Sequence, residues 1–449
     1  MAGWLPAESG DLTRVLTASS YLDRKRREIA LLNRCLASGL DLPAPRSPAE
    51  AIEQKFRIAA ALRAEQSLAS WAVTETARPP TQRWRSGAYE FDFGYQRADL
   101  VVRGPPIYAG ALRQTVIYTS SGMSAIAALV VALLEMHEPI DVWAAADCYG
   151  ETRELMQRFG ARLRIVTPGR RVGNSRCEAS LRVLWLDSAV HARFFALDSS
   201  LRGFDLIVVD SSCFAVTSGK IRNAIDRAAA AGVPVALLRS HAKLDCLGIE
   251  YGRLGSIVFV ATRESVQAER IAWTSRLASR VRDAVRLFGL APIPVHFPPF
   301  AGTSEYRACS VARVTSIIRN TRRLVRILEA RLQGAPAVAT FQHGLYLTLA
   351  PGGDPDIDDV KRSAGNLAAD VAAKKLCVKH AGSFGFDFVA VEWFPDPLRR
   401  RNVMRIAGAD LPSELTDRIA EAIAKWWSGN RRVHGPVDSH FARVGEAIA

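Results

Sequence analysis

Lys243 stands in Leu237-Leu238-Arg239-Ser240-His241-Ala242-Lys243-Leu244-Asp245, where an apolar, strand-like run feeds straight into a short polar turn. An amine held there could act as a Schiff-base nucleophile, although a lysine after a strand more often belongs to a solvated surface. Four other places bear on the choice. Asp210 ends the apolar run Phe204 to Asp210 and opens into Ser211-Ser212-Cys213. A carboxylate at the C-terminal edge of a buried strand faces a ligand crevice in an open α/β sheet, and Asp is also common wherever a strand becomes a loop. In Tyr118-Thr119-Ser120-Ser121-Gly122-Met123-Ser124 a strand breaks at small hydroxylic residues and an alanine-rich helix begins. Unpaired N–H groups at a helix start, with no Cβ at Gly122, make an anion site; plain N-capping by Ser120 or Ser121 is the alternative. Asp147-Cys148-Tyr149-Gly150-Glu151-Thr152 repeats the strand-to-helix pattern, and Tyr149 could stack on a planar ring or close a capping turn. Tyr95-Gln96-Arg97, in a polar stretch ahead of the first sheet strand, offers a hydroxyl beside a guanidinium fork suited to phosphate.

The elements that must position these residues are readable from periodicity. Strands expected near 115, 142, 162, 182, 206, 234 and 256 alternate with helical segments, including Ile221 to Ala231, the pattern of a mainly parallel sheet covered on both faces. Residues 1–110 read as a helical N-terminal region, broken by Pro43, Pro45 and Pro48, followed by an extended arm over 76–110. Residues 111–290 read as the large α/β domain. Beyond the proline-rich segment at 291–299, residues 291–449 read as a smaller α+β domain with helices near 310, 358 and 413–427 and strands near 344, 389 and 402.

Taken in order, the motifs resemble the fold-type-I pyridoxal-phosphate enzymes, most closely the cysteine and methionine metabolism group that includes cystathionine γ-synthase, cystathionine lyases and methionine γ-lyase. The resemblance runs over roughly residues 90–430. It implies an aspartate-aminotransferase-like fold with pyridoxal 5'-phosphate bound to Lys243 as a Schiff base. It further implies Asp210 on the ring nitrogen and Tyr149 stacked on the ring, where it could serve as an acid. Phosphate contacts fall to Ser121, Gly122, Met123 and Ser240, and to Tyr95 and Arg97 reaching in from a second subunit. In Ser383-Phe384-Gly385 the serine, with Arg405 further on, is expected to seat the substrate carboxylate. The implied reaction is elimination at Cβ or Cγ, or γ-replacement, through quinonoid and vinylglycine-type intermediates. The implied assembly is a homodimer with composite sites that could pair into a tetramer.

The departures are specific. Ala242 stands where the group has a phosphate-binding threonine, and His191 falls where its asparagine touches the ring hydroxyl, so His191 is the candidate for that contact. Lys243 lies 33 positions after Asp210, more than is usual in the group and closer to aminotransferases. A divergent member, with a specialised biosynthetic role, fits this pattern. A pyridoxal-phosphate aminotransferase is the second reading, and a cofactor-free basic binding protein on a degenerate scaffold is the third.

Composition limits the alternatives. The chain has 449 residues, 49% of them apolar, and contains no apolar run of membrane-spanning length. With no leader-like start, a cytoplasmic location and no membrane partner are expected. Seven cysteines without a Cys-x-x-Cys pair indicate neither a disulfide framework nor a zinc site, and no metal is expected. The net charge of +14 is the feature that favours nucleic acid. Its richest stretch, Ser310 to Gln333, has a helical apolar period and reads as a solvated helix face rather than a groove-binding element. The expected partner is therefore a small amino acid, not nucleic acid.

Overall fold

Leu206-Ile207-Val208-Val209-Asp210 is buried along its whole length as strand β8 (Leu206–Asp210), as a continuous apolar run requires in a sheet covered on both faces. The computed structural model describes residues 16–75, 84–93, 100–104, 113–167, 181–190, 201–261, 268–332, 337–351, 355–396 and 401–430. β8 is the middle of a seven-stranded sheet. Its order is β4 (Arg113–Thr119), β10 (Gly255–Ala261), β9 (Val235–Ser240), β8, β7 (Leu181–Asp187), β5 (Ile140–Ala144) and β6 (Leu163–Val166). From β9 to β6 neighbours run parallel, and β10 runs antiparallel to both β9 and β4. Helices α3 (Gly122–Met136), α4 (Gly150–Gln157) and α6 (Ala268–Leu287) bury apolar residues on one face. Helix α5 (Gly219–Ala230) covers the other through Ile221, Ala224, Ile225 and Ala228. All seven expected strands of this sheet are present, within a residue or two of their expected positions.

A second sheet has the order β11 (Ala337–Thr340), β12 (Tyr346–Ala350), β15 (Arg401–Ala407), β14 (Val389–Asp396), β13 (Val378–His380). It is antiparallel except between β13 and β14. It packs with α7 (Ser304–Arg331), α8 (Ile357–Ala373) and α9 (Ser413–Gly429) around Leu347, Leu349, Ile406, Leu367 and Ile423. The arginines of α7 are not all solvated, contrary to expectation. Arg313 is fully buried, while Arg323 and Arg331 reach across to Asp417 and Glu421 of α9.

Helices α1 (Ala18–Asn33) and α2 (Pro48–Glu75) form the N-terminal pair. Pro48 is the first residue of α2, a position whose N–H is unpaired in any helix. The pair packs on Leu247, Ile249, Tyr251 and Phe300, so it touches the chain just beyond Lys243. Where an extended arm is expected, the described residues form a three-stranded antiparallel sheet instead, β1 (Trp84–Ser86), β2 (Tyr89–Phe93) and β3 (Leu100–Arg103). Tyr89 and Phe91 bury their rings against Phe297, at 5.6 and 4.9 Å between centroids, which gives these short strands a core of their own. Among the described residues no helix is long and apolar enough to cross a membrane, and no His, Cys, Asp or Glu grouping could hold a metal ion.

Candidate active site

The C-terminal ends of β8 and β9 carry Asp210 and the turn leading to Lys243, and two glycines bring the start of α3 against them. A Cβ at Gly122 would lie 2.9 Å from Ser240 Cβ, and one at Gly255 only 2.2 Å from the Ser121 carbonyl. Their absence lets the Ser121–Gly122 turn sit directly on Ser240. Ser121 caps α3 by accepting from the Ser124 N–H at 3.0 Å, and Ser120 Oγ lies 2.8 Å from Ser124 Oγ. The N-capping reading of these serines therefore holds at the same place as the anion reading. The N–H groups of Gly122 and Met123, the first of the helix, have no acceptor in the helical ladder.

The turn bearing Lys243 is braced on both sides. Arg239 makes a bidentate pair with Asp245, 2.6 Å at both nitrogens, and its third nitrogen donates to the carbonyls of Ser211 and Phe214 at 2.8 Å. The loop after Asp210 and the turn around Lys243 are thus joined through one buried guanidinium. His241 Nδ1 lies 2.7 Å from Asp245 and its Nε2 2.9 Å from Ser256 Oγ. Ser256, His241 and Asp245 have the order of a nucleophile relay, but Ser256 is fully buried in β10, so the line braces the turn rather than attacking a substrate. Against the burial that raises it, Arg239 and His241 hold the Asp245 carboxyl well below the usual carboxylate range. Neither Arg239 nor Asp245 stands out from sequence; an arginine inside an apolar strand six residues before an aspartate is the available signal.

The Lys243 amine is depressed from its usual value, chiefly by burial and further by Arg405, with Cys213 and Asp210 opposing. Its Nζ sits 4.5 Å from the Phe384 ring centre, and Gly385 passes so close that a Cβ there would be 3.2 Å from the Lys243 carbonyl. Asp210 is raised by burial, opposed by the Ser212 N–H at 2.9 Å and by Lys243. Directly across the parallel register stands Asp187, also buried, raised to about 7 by burial and by Asp210. Asp187 accepts the Tyr149 and Ala189 N–H groups, both at 2.7 Å, so it ties the start of α4 to the β7 end. Asp187 belongs to no motif of the sequence. Its position in β7, level with Asp210, was the signal.

Tyr149, half-buried at the α4 start, is hydrogen-bonded to Glu151 and lies in the field of both Arg405 and Asp210; burial, with Glu151, raises its phenol. Arg405 projects from β15 with the rings of Tyr346, Phe394 and Phe384 at 5.0, 5.5 and 6.0 Å from its guanidinium carbon. It is paired with Glu392 of β14. The structure therefore gathers Lys243, Asp210, Tyr149, Ser240, Ser121, Gly122, Phe384 beside Ser383, and Arg405 around one place. Met123 follows Gly122 in the first turn of α3. Tyr95, Arg97 and His191 lie outside the described residues.

No family model matches the chain and no curated protein does. Solved structures do. Cystathionine gamma synthase from Xanthomonas oryzae pv. oryzae, in complex with cystathionine, is 14% identical with a TM-score of 0.48, covering 82% of this chain and 98% of that one. Methionine gamma lyase from Micromonospora echinospora is 18% identical with a TM-score of 0.47, covering 69% and 81%. The metB protein from Corynebacterium glutamicum is 14% identical with a TM-score of 0.48, covering 69% and 80%. What a fold does is decided by its side chains.

Proposed function

We propose that the chain is a pyridoxal-phosphate-dependent enzyme acting on an amino acid, by elimination or replacement at Cβ or Cγ. The observation that carries this reading is the convergence on one place of a buried amine, a buried strand-end carboxylate and a helix start laid open by glycine. The residues suit such a group: Lys243 for its carbonyl, Asp210 for its ring nitrogen, Gly122 and Met123 with Ser121 and Ser240 for its phosphate, and Tyr149 for its ring face. Bound there, the cofactor supplies a carbonyl that amines attack and a ring that accepts electrons.

The chain's own groups have the properties these tasks need. Burial favours the neutral Lys243 amine, the form that can attack a carbonyl or take a proton from a substrate Cα. Tyr149, held protonated, is placed to give a proton to a departing group. Ser383 and Arg405, on either side of Phe384 in the chain's contacts, would orient a substrate carboxylate.

An absorption spectrum of the purified protein with added pyridoxal phosphate tests the reading. The wild type is expected to show a yellow band that borohydride bleaches, and Lys243→Ala to lack it; a colourless wild type overturns the proposal and directs attention to salt-dependent nucleic-acid binding. Aminotransfer is the second reading, favoured by the α5 crossover that separates Asp210 from Lys243. Conversion of an added 2-oxo acid into its amino acid decides for it. If Tyr95 and Arg97 act across a subunit boundary, mixing Arg97→Ala and Lys243→Ala chains restores part of the activity in heterodimers.

A further inference from the structure

Glu392 and Arg405 are direct cross-strand partners in the antiparallel β14–β15 register, and their side chains pair with only 14% and 8% exposure. The guanidinium is otherwise ringed by Tyr346, Phe394 and Phe384, and its Nε finds no acceptor among the described residues. The second oxygen of Glu392 reaches the Gly382–Ser383 turn, where a Cβ on Gly382 would come within 3.0 Å of it. The arginine placed to receive a substrate carboxylate thus already holds one, supplied by its own sheet. A neutral-side-chain amino acid that takes Arg405 from Glu392 leaves that carboxylate without its partner in a largely dry site, which is unfavourable. An amino acid that also carries a positive charge offers both halves a partner: its carboxylate takes Arg405 and its cation takes the released Glu392.

Resting on the reading above, we propose that Glu392 is a specificity-determining residue that selects amino acids with a second, cationic group, ammonium or sulfonium, on the side chain. The probes are L-2,4-diaminobutyrate and L-2-aminobutyrate, which share a backbone and differ by one ammonium group at Cγ. Equilibrium binding to the wild type is expected to favour the cationic probe by about tenfold or more, the scale of a buried charge pair made or lost. In Glu392→Gln the neutral probe should tighten and the cationic probe weaken, reversing the order, whereas Glu392→Asp keeps the wild-type order. Mere loosening of the site would weaken both probes together, so the reversal separates recognition from support.

Equal affinities in the wild type overturn the inference even if the Gln variant does not fold. So does a preference that survives Glu392→Gln, or no binding of either probe to a protein that shows the borohydride-sensitive band. A colourless protein that still shows the reversal overturns the cofactor reading alone and leaves Glu392 in its role.

Discussion

Asp187 and Asp210 are two buried carboxyls level with each other on adjacent strands, and near neutrality they cannot both ionise cheaply. Asp187 is raised from its unfolded value to about 7. A folded state that binds a proton more tightly than the unfolded chain loses stability as pH rises from the unfolded carboxyl value toward 7. Cofactor-free protein should therefore lose up to about 3 kcal/mol between pH 5 and pH 8 from this pair, at 1.36 kcal/mol per pKa unit. Asp187→Asn should flatten that slope in urea titrations, costing about 1 kcal/mol at pH 5 for one weakened N–H partner and losing that deficit as pH rises toward 8. An unchanged slope in the variant would assign the titration elsewhere. Cys213, whose thiol burial and the two carboxyls push up to about 12, is held as a neutral thiol and does not contribute in this range.

At the scale of elements, the turn from Arg239 to Asp245 is the piece on which the site hangs. Asp245→Asn leaves the buried Arg239 charge without its carboxylate, and the expected cost is about 3–5 kcal/mol, read as a fall in the urea midpoint. Gly255→Ala forces the Ser121 carbonyl away from β10. It should cost roughly 1–3 kcal/mol and weaken pyridoxal-phosphate affinity more than Asp245→Asn does, because it parts the α3 start from Ser240. The strands of the large sheet were legible because each is an apolar run bounded by turn residues. Lys243, Asp210 and Tyr149 were legible because they stand at those boundaries. Asp245, Asp187 and Glu392 were not, since each matters through a partner set by register or by a turn closing in space, and a linear pattern carries neither. The short strands β1 to β3 were also missed, because their burial depends on Phe297, some 200 residues away. The buried Arg313 was hidden by the same helical period that placed its neighbours on a solvated face.

For the molecule as a whole, the N-terminal helices are bound to the site through a buried cluster of charges. Lys25 of α1 reaches Asp387 and Asp410 at 2.9 and 3.0 Å. Arg313 of α7 reaches Asp387 at 2.8 Å and the Gly385 carbonyl at 3.0 Å, and Lys55 of α2 pairs with Glu28 and Asp387 and donates to the Leu247 carbonyl. Asp387 thus fixes the Ser383–Gly385 turn and the chain beyond Lys243 at once. Lys25, Lys55 and Arg313 hold its carboxyl well below the usual range, and Arg24 and Lys25 depress Asp410. Depressed carboxyls stabilise the fold above the unfolded value and lose that contribution as pH falls through the folded ones, so the loss begins below about pH 4. Asp387→Asn, which takes one shared carboxylate from three buried cations, should cost about 3–5 kcal/mol at pH 7 and blunt that acid limb in pH-dependent melts; a variant as stable as wild type would deny the cluster its role. Lys25 and Asp387 lie 362 positions apart in the chain. At a synthesis rate of ~5–20 residues per second, α1 waits roughly 20–70 s at the ribosome with its lysine and glutamate in water before their partner emerges. Helices α1 and α2 are made long before they can be locked, and a nascent chain stalled short of residue 387 leaves the ribosome with them undocked.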